Sequence, residues 1–257
     1  MKDIATSSSL VTSSDKNFWH GYIDFYEPFF ESRSIGSIAE IGIFKGNSIR
    51  WLLDRFPEAN IYGADILPLQ NEWPVSERFN FLQTDQGDVE QLNRFFSSGP
   101  FDLIIEDGSH FPEHQALYLI EGVRVMNSGG IYILKDVHTS HPMNIDYNKK
   151  KGFFFKRKIQ KGNALSVLLG INHYKRIGCE ITNEKAELIS KNSLLTTPQV
   201  LELSRRIKNI HLYKRTRLPD SCYKCGEVDF DYSQYRCRCG ENIFSDTDSM
   251  TFVIECF

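Results

Sequence analysis

Two stretches of this 257-residue chain hold residue types that do chemistry at spacings that let them act together. The first begins at Ala39-Glu40-Ile41-Gly42-Ile43-Phe44-Lys45-Gly46-Asn47-Ser48, where an apolar run turns into a helical one. Glycines there let the chain turn tightly and let a ligand approach backbone N–H groups at a helix N-terminus. Asp65 ends the next apolar run, 23 residues beyond Gly42. A carboxylate at that place can accept hydrogen bonds from both ribose hydroxyls of a nucleotide-like cofactor. The glycine spacing is E-x-G-x-x-x-G rather than G-x-G-x-x-G, so a dinucleotide fits less well. Glu40 lies inside an apolar run and needs a reason to be there. Gln83-Thr84-Asp85-Gln86 adds an acid and an amide where an adenine amino group would lie. Two further runs end in Glu106-Asp107-Gly108-Ser109-His110 and Leu134-Lys135-Asp136-Val137-His138, so acids follow the second to fifth runs.

The second stretch is a cysteine cluster. Four of the six cysteines form two pairs, Cys222-Tyr223-Lys224-Cys225-Gly226 and Cys237-Arg238-Cys239-Gly240. Each pair ends in a glycine, as in a knuckle whose backbone turns to aim N–H groups at thiolates. Four sulfurs on two knuckles at the base of a short hairpin suit tetrahedral zinc, although the second pair has one intervening residue where two are usual. The opening MKDIATSSSLVTSSDK has no apolar signal core, so the cluster reads as metal ligation in a reducing cytoplasm rather than as disulfides. The hairpin between the pairs, Glu227-Val228-Asp229-Phe230-Asp231-Tyr232, is acidic and repels a phosphate backbone, which favours a structural ribbon.

Both sites need a scaffold, and the periodicity supplies one. Strands are expected at Ile38–Ile43, Ile61–Asp65, Phe79–Gln83, Phe101–Ile105 and Gly130–Leu134, with helices near Ser48–Phe56, Val89–Phe96 and Pro112–Met126. Such alternation gives an α/β fold, a Rossmann-like doubly wound, mostly parallel sheet whose carboxyl edge is the ligand edge. A helix at Pro198–Lys208 and strands at Asn209–Tyr213 and Met250–Cys256 follow, with the cysteine cluster between the two strands. The expected organisation is a flexible tail at 1–16, a main domain at 17–214 and 246–257, and a ribbon at 215–245. An amphipathic helix is expected over Phe18–Phe30. Residues 149–161, KKKGFFFKRKIQK, form a basic and aromatic stretch suited to a lid or to a phosphorylated or lipid-linked acceptor, or simply a solvated loop. With 41% hydrophobic residues a sizeable core is expected, and no apolar run reaches the ~18 residues of a membrane span. A net charge of −3 argues against general nucleic-acid binding.

The ordered set E-I-G-x-x-x-G-x-S, Y-G-A-D-I, D-Q, F-D-L-I-I-E-D-G-S-H and G-G-x-Y-I-x-x-D-x-H-T-S resembles the class I S-adenosylmethionine-dependent methyltransferases. More narrowly it is similar to the macrocin and mycinamicin sugar O-methyltransferases, with the cephalosporin hydroxylase proteins as relatives. The methyltransferase fold implies that Asn209–Tyr213 and Met250–Cys256 form an antiparallel closing pair with the ribbon inserted between them. Asp15-Lys16, His20-Gly21-Tyr22 and Tyr26-Glu27 extend the likeness, which covers roughly residues 14–140. The resemblance implies that Glu40, Gly42 and Gly46 line the methionine end of the cofactor, with Ser48 nearby, that Asp65 holds its ribose and that Asp85 and Gln86 sit by its adenine. It further implies that Asp107 helps bind magnesium and that His110 is the general base. In those relatives two adjacent acids after the fifth strand complete the metal site; here they are Lys135 and Asp136. Lys135 either points inward and supplies the positive charge itself or turns out to solvent, and metal-independent transfer is the favoured expectation over a retained magnesium.

The expected activity is methyl transfer to a sugar hydroxyl of a glycan, glycolipid or glycosylated natural product. An RNA-modifying methyltransferase using the ribbon and 149–161 is the alternative, opposed by the overall acidity. A non-catalytic cofactor-binding scaffold is the third reading, suggested by Lys135 and opposed by the retained Asp107 and His110. The identity of the sugar and any homo-oligomer stay open at this point.

Overall fold

The computed structural model describes residues 15–141, 163–191, 193–244 and 249–257. Two short N-terminal helices, α1 (Asp15–Phe18) and α2 (Tyr22–Phe30), precede the alternating part of the chain. That part runs β1 (Ser37–Ile41), α3 (Asn47–Arg55), β2 (Asn60–Asp65), β3 (Phe79–Gln83), α4 (Val89–Phe96), β4 (Phe101–Glu106), α5 (Pro112–Arg124) and β5 (Met126–Leu134). A 3-10 turn, Val137–Ser140, follows β5. The chain then forms α6 (Ala164–Arg176), α7 (Asn183–Ser190), α8 (Thr197–Arg206), β6 (Ile207–Lys214), a small hairpin of β7 (Phe230–Asp231) and β8 (Arg236–Cys237), and finally β9 (Met250–Cys256).

Seven strands make one sheet in the order β3-β2-β1-β4-β5-β9-β6. The first five pair in parallel, and β9 runs antiparallel to both β5 and β6. The central strands are apolar on both faces because both faces are covered. Ala39, Ile41, Ile104, Tyr132 and Leu134 point to the side packed by α4, α5, α6 and α8. Ile38, Leu103, Ile105, Ile131 and Ile133 point to the side packed by α2 and α3. Local sequence sets the helix starts. Asp88 caps α4 by accepting from the N–H groups of Glu90 and Gln91, and Pro112 and Pro198 occupy first turns where the missing N–H is harmless.

Several expectations need correction. The tail boundary at 16 falls too late, because Asp15 and Lys16 already belong to α1; residues 1–14 lie outside the described residues. The single helix over Phe18–Phe30 is two, broken at Gly21, whose φ of 69° is the left-handed region that favours glycine. Helices α6 and α7 add to the elements expected from the pattern. The basic stretch 149–161 lies outside the described residues. The β7–β8 hairpin sits in the connection from β6 to β9, where the ribbon was expected. Among the described residues no helix is long and apolar enough to cross a membrane.

Candidate active site

The carboxyl edge of β1, β2, β4 and β5 gathers most of the singled-out residues. Gly42 has φ 90°, and a Cβ there would lie 2.1 Å from the Asp107 carbonyl oxygen, so only glycine lets the β1 and β4 loops approach. Gly46, with φ 74°, precedes α3, and Ser48 is buried in that helix's first turn. Asp65 closes β2 and pins this loop. Its Oδ2 accepts from the N–H groups of Ile43 (2.8 Å) and Phe44 (3.1 Å), and its Oδ1 from Leu67 N–H (2.9 Å). A carboxylate offers about four acceptor positions, so the loop uses most of them and Asp65 does more than wait for a ribose. Gln86 is also committed, its Oε1 accepting from Ser109 N–H at 2.7 Å, whereas Asp85 is exposed and accepts from Gly87 N–H.

Glu40 is fully buried and pairs with a residue that the sequence reading placed in the tail. Lys16 Nζ lies 2.9 Å from Glu40 Oε1 and 2.8 Å from Asp107 Oδ2. The other oxygen of Asp107 meets Lys135 Nζ at 2.6 Å. Lys135 therefore points inward; it is 2% exposed and its ammonium lies over the Tyr22 ring, 5.0 Å from the centroid. Lys135 Nζ is also 3.9 Å from Asp136 Oδ2. Asp136 accepts from Tyr22 Oη at 2.7 Å and has His110 Nε2 at 3.7 Å and His138 Nδ1 at 3.7 Å. The result is an alternating row, Glu40, Lys16, Asp107, Lys135, Asp136, His110, across the edge of three strands. Lys16 and Tyr22 are the functional candidates missed as site residues. The signal for a cation was Glu40 itself, a buried carboxylate that requires one.

Charge and strain both mark this edge. Burial pushes the Asp107 carboxyl up, but Lys135 and Lys16 outweigh it and hold it below the ordinary range. Asp136 is likewise driven well down, against its burial, by Lys135 and the neighbouring histidines. Glu106, one residue from Asp107, goes the other way; burial lifts it to about 8, so it carries a proton at neutral pH. His110 and Asp136 both have positive φ, 55° and 52°. Such residues cost about 1–3 kcal/mol each and persist only where surroundings fix them. Thr139 does this by donating from Oγ1 to the carbonyls of His110 (2.8 Å) and Asp136 (3.0 Å). Gln115 donates to the Lys135 carbonyl at 2.9 Å and accepts from Ser140 Oγ at 2.8 Å.

The cysteines converge as well. Cys222 and Cys239 place their sulfurs 3.7 Å apart, Cys225 and Cys237 3.4 Å apart, and all four lie within 4.8 Å of one another. Gly226 and Gly240, both at positive φ, make the two turns. Asp107, His110 and Asp136 form the other group able to offer metal-ligand atoms within 4.8 Å among the described residues.

Residues 39–137 match the family described as a methyltransferase domain. Mycinamicin VI 2''-O-methyltransferase of Micromonospora griseorubida is 30% identical over 150 residues, 54% of this chain and 37% of that protein. The 8-demethyl-8-(2-methoxy-alpha-L-rhamnosyl)-tetracenomycin-C 3'-O-methyltransferase of Streptomyces olivaceus is 30% identical over 140 residues, 50% of this chain and 35% of that one. Among solved structures, the MycE methyltransferase from the mycinamycin biosynthetic pathway, in complex with Mg and SAH, matches with a TM-score of 0.58 at 25% identity. That match covers 82% of this chain and 52% of the other. The chain thus spans about half the length of the solved relative and little over a third of the curated ones. Sheet order and these matches agree: residues 39–137 match a methyltransferase-domain family, and the chain is similar in sequence and fold to the mycinamicin-type O-methyltransferases.

Proposed function

We propose that this chain is an S-adenosylmethionine-dependent O-methyltransferase acting on a sugar hydroxyl of a glycan, glycolipid or glycosylated natural product. The observation that carries the reading is His110, strained into place beside Asp136 on the same strand edge that holds the Asp65-pinned glycine loop. Relatives named for sugar O-methylation of a macrolide and of tetracenomycins support the acceptor class.

When bound, S-adenosylmethionine supplies a methyl group on a positively charged sulfur. The open part of Asp65 would meet its ribose, and Glu40 its methionine end. A sugar hydroxyl is a very weak acid and must lose its proton as it attacks. His110 takes that proton on a ring nitrogen, and the Asp136 carboxylate stabilises the imidazolium that forms. Lys135 stabilises the developing alkoxide.

Magnesium fits these residues poorly. Both Asp107 oxygens already hold ammonium groups at 2.6 and 2.8 Å, and an ion at Asp107, His110 and Asp136 would sit among like charges. The proposed transfer is therefore metal-independent, in contrast to the relative solved with Mg. Zinc fits the cysteines well, since four ligands at ~2.3 Å in a tetrahedron lie ~3.8 Å apart. A reducing, cytoplasmic setting goes with that ligation.

Calorimetry of S-adenosylhomocysteine with Asp65→Ala tests the cofactor assignment. Affinity should fall by a few kcal/mol, because a charge-assisted contact is lost and the Ile43–Phe44 loop is released. Unchanged affinity would remove Asp65 from the site.

A further inference from the structure

The ribbon and the catalytic edge share one small element. α1 is a single turn, too short to hold itself together. One side of it reaches the site through Lys16, between Glu40 and Asp107. The next residues face the cysteines. Phe18 and Trp19 pack in an apolar cluster with Cys222, Cys237, Ile243, Leu218 and Phe230, separate from the two cores of the main sheet. The Trp19 ring meets Tyr223, the residue after Cys222, edge-on at 4.8 Å. Arg215, 2% exposed, stacks its guanidinium 4.9 Å from the Trp19 ring centre and donates to the Ile243 carbonyl. Asp220 N–H donates to the Phe18 carbonyl at 2.7 Å. Within the turn, Trp19 and His20 donate backbone N–H bonds to the Asp15 carbonyl at 3.1 and 2.9 Å, which ties the ribbon-facing residues to the one that carries Lys16 into the site.

We propose that the four-cysteine ribbon is the anchor that fixes α1, and that Lys16 is a positioning residue whose ammonium holds the Glu40 and Asp107 carboxylates in place for cofactor and acceptor. The proposal rests on the zinc and cofactor readings above. Among the described residues, three carboxylates on the edge, Glu40, Asp107 and Asp136, face two ammoniums, Lys16 and Lys135. Glu40 Oε2 has no hydrogen-bond partner among the described residues, so Lys16 is its chief compensation. Releasing α1 would leave Glu40 buried without its cation and Asp107 with only one, and burying an uncompensated carboxylate is strongly unfavourable. The two carboxylates would then lose the cation that draws them together and would move apart.

The test uses the full chain with its zinc content measured, then the same protein stripped by a mercurial and chelator. Two readouts are taken: S-adenosylhomocysteine affinity by calorimetry, and hydrogen exchange of the Trp19, His20 and β1 amides. Lys16→Met should weaken affinity at least tenfold, and Lys16→Arg should restore most of it. Stripping the parent should produce a similar weakening and at least tenfold faster exchange at Trp19 and His20, with β1 still protected. Stripping Lys16→Met should weaken binding no further. Zinc-loaded parent whose affinity and α1 exchange are both unchanged by stripping would overturn the anchor while leaving the cofactor reading intact. A parent isolated without zinc would overturn the metal reading and the anchor with it. A parent that binds no S-adenosylhomocysteine would overturn the cofactor reading, and α1 exchange would then decide the anchor alone.

Discussion

Replacing Lys135 with methionine keeps the stem of the side chain and deletes the ammonium. In the parent that ammonium is buried, 2.6 Å from Asp107 and 3.9 Å from Asp136, over the face of Tyr22. Removing one partner of a buried ion pair costs about 3–5 kcal/mol because the other charge stays behind. Asp107 retains Lys16 at 2.8 Å and Asp136 retains the Tyr22 hydroxyl, so the lower end, about 3 kcal/mol, is expected. The loss depends on pH. Lys135 holds Asp107 and Asp136 below the usual carboxylate range, so its contribution is present above the unfolded carboxylate pKa of ~3.9 and lost as pH falls through the depressed folded values. Urea unfolding at pH 7 and at about pH 2, below the unfolded carboxylate value, should therefore show a large gap between parent and variant at neutral pH and a smaller one in acid. A gap under about 1 kcal/mol at pH 7, or one that widens in acid, would refute the picture of Lys135 as a buried counter-cation.

Lys135→Asp restores the acid pair expected of metal-binding relatives, and magnesium titrated calorimetrically should bind this variant but not the parent at millimolar concentrations. Parent protein that binds magnesium equally well would show that the ammoniums do not displace an ion. Glu106 offers a separate test of burial. Its carboxyl is lifted from an ordinary 4.5 to about 8, so the stability it contributes is present below the lower value and lost as pH rises through the higher one. Glu106→Gln should unfold like the parent near pH 5 and be more stable by roughly 3–5 kcal/mol above pH 9, where the parent must bury a charge. Identical unfolding midpoints at both pH values would contradict that burial.

The strands that build the ligand edge were legible because their apolar runs are short, regular and closed by acids. Glu40, Asp65, Asp107 and Asp136 stand out in such runs, and the structure brings Glu40, Asp107, Lys135, Asp136 and His110 into one row. Lys16 and Tyr22 were harder to see. Each reaches a partner far away along the chain, 24 and 114 residues from Glu40 and Asp136 respectively, and no local period encodes such a contact. Lys16 also follows a Ser- and Thr-rich stretch, so composition pointed to a tail. The orientation of Lys135 could not be read from its position, since a residue at a strand end can face either way. Asp65 and Gln86 were assigned to a ligand, whereas much of their hydrogen-bonding capacity goes to the protein's own loops. Helices α6 and α7 follow the basic stretch, beyond the point where the alternating strand–helix pattern ends.

The central claim is methyl transfer from S-adenosylmethionine to a sugar hydroxyl with His110 as base. The direct measurement incubates the purified chain with methyl-labelled cofactor and a panel of deoxysugar glycosides, beside His110→Ala. The account predicts labelled sugar from the parent and a roughly 10²–10⁴-fold lower rate from the variant, at unchanged S-adenosylhomocysteine affinity. Cofactor binding with no label on any glycoside, or full transfer by His110→Ala, would contradict it.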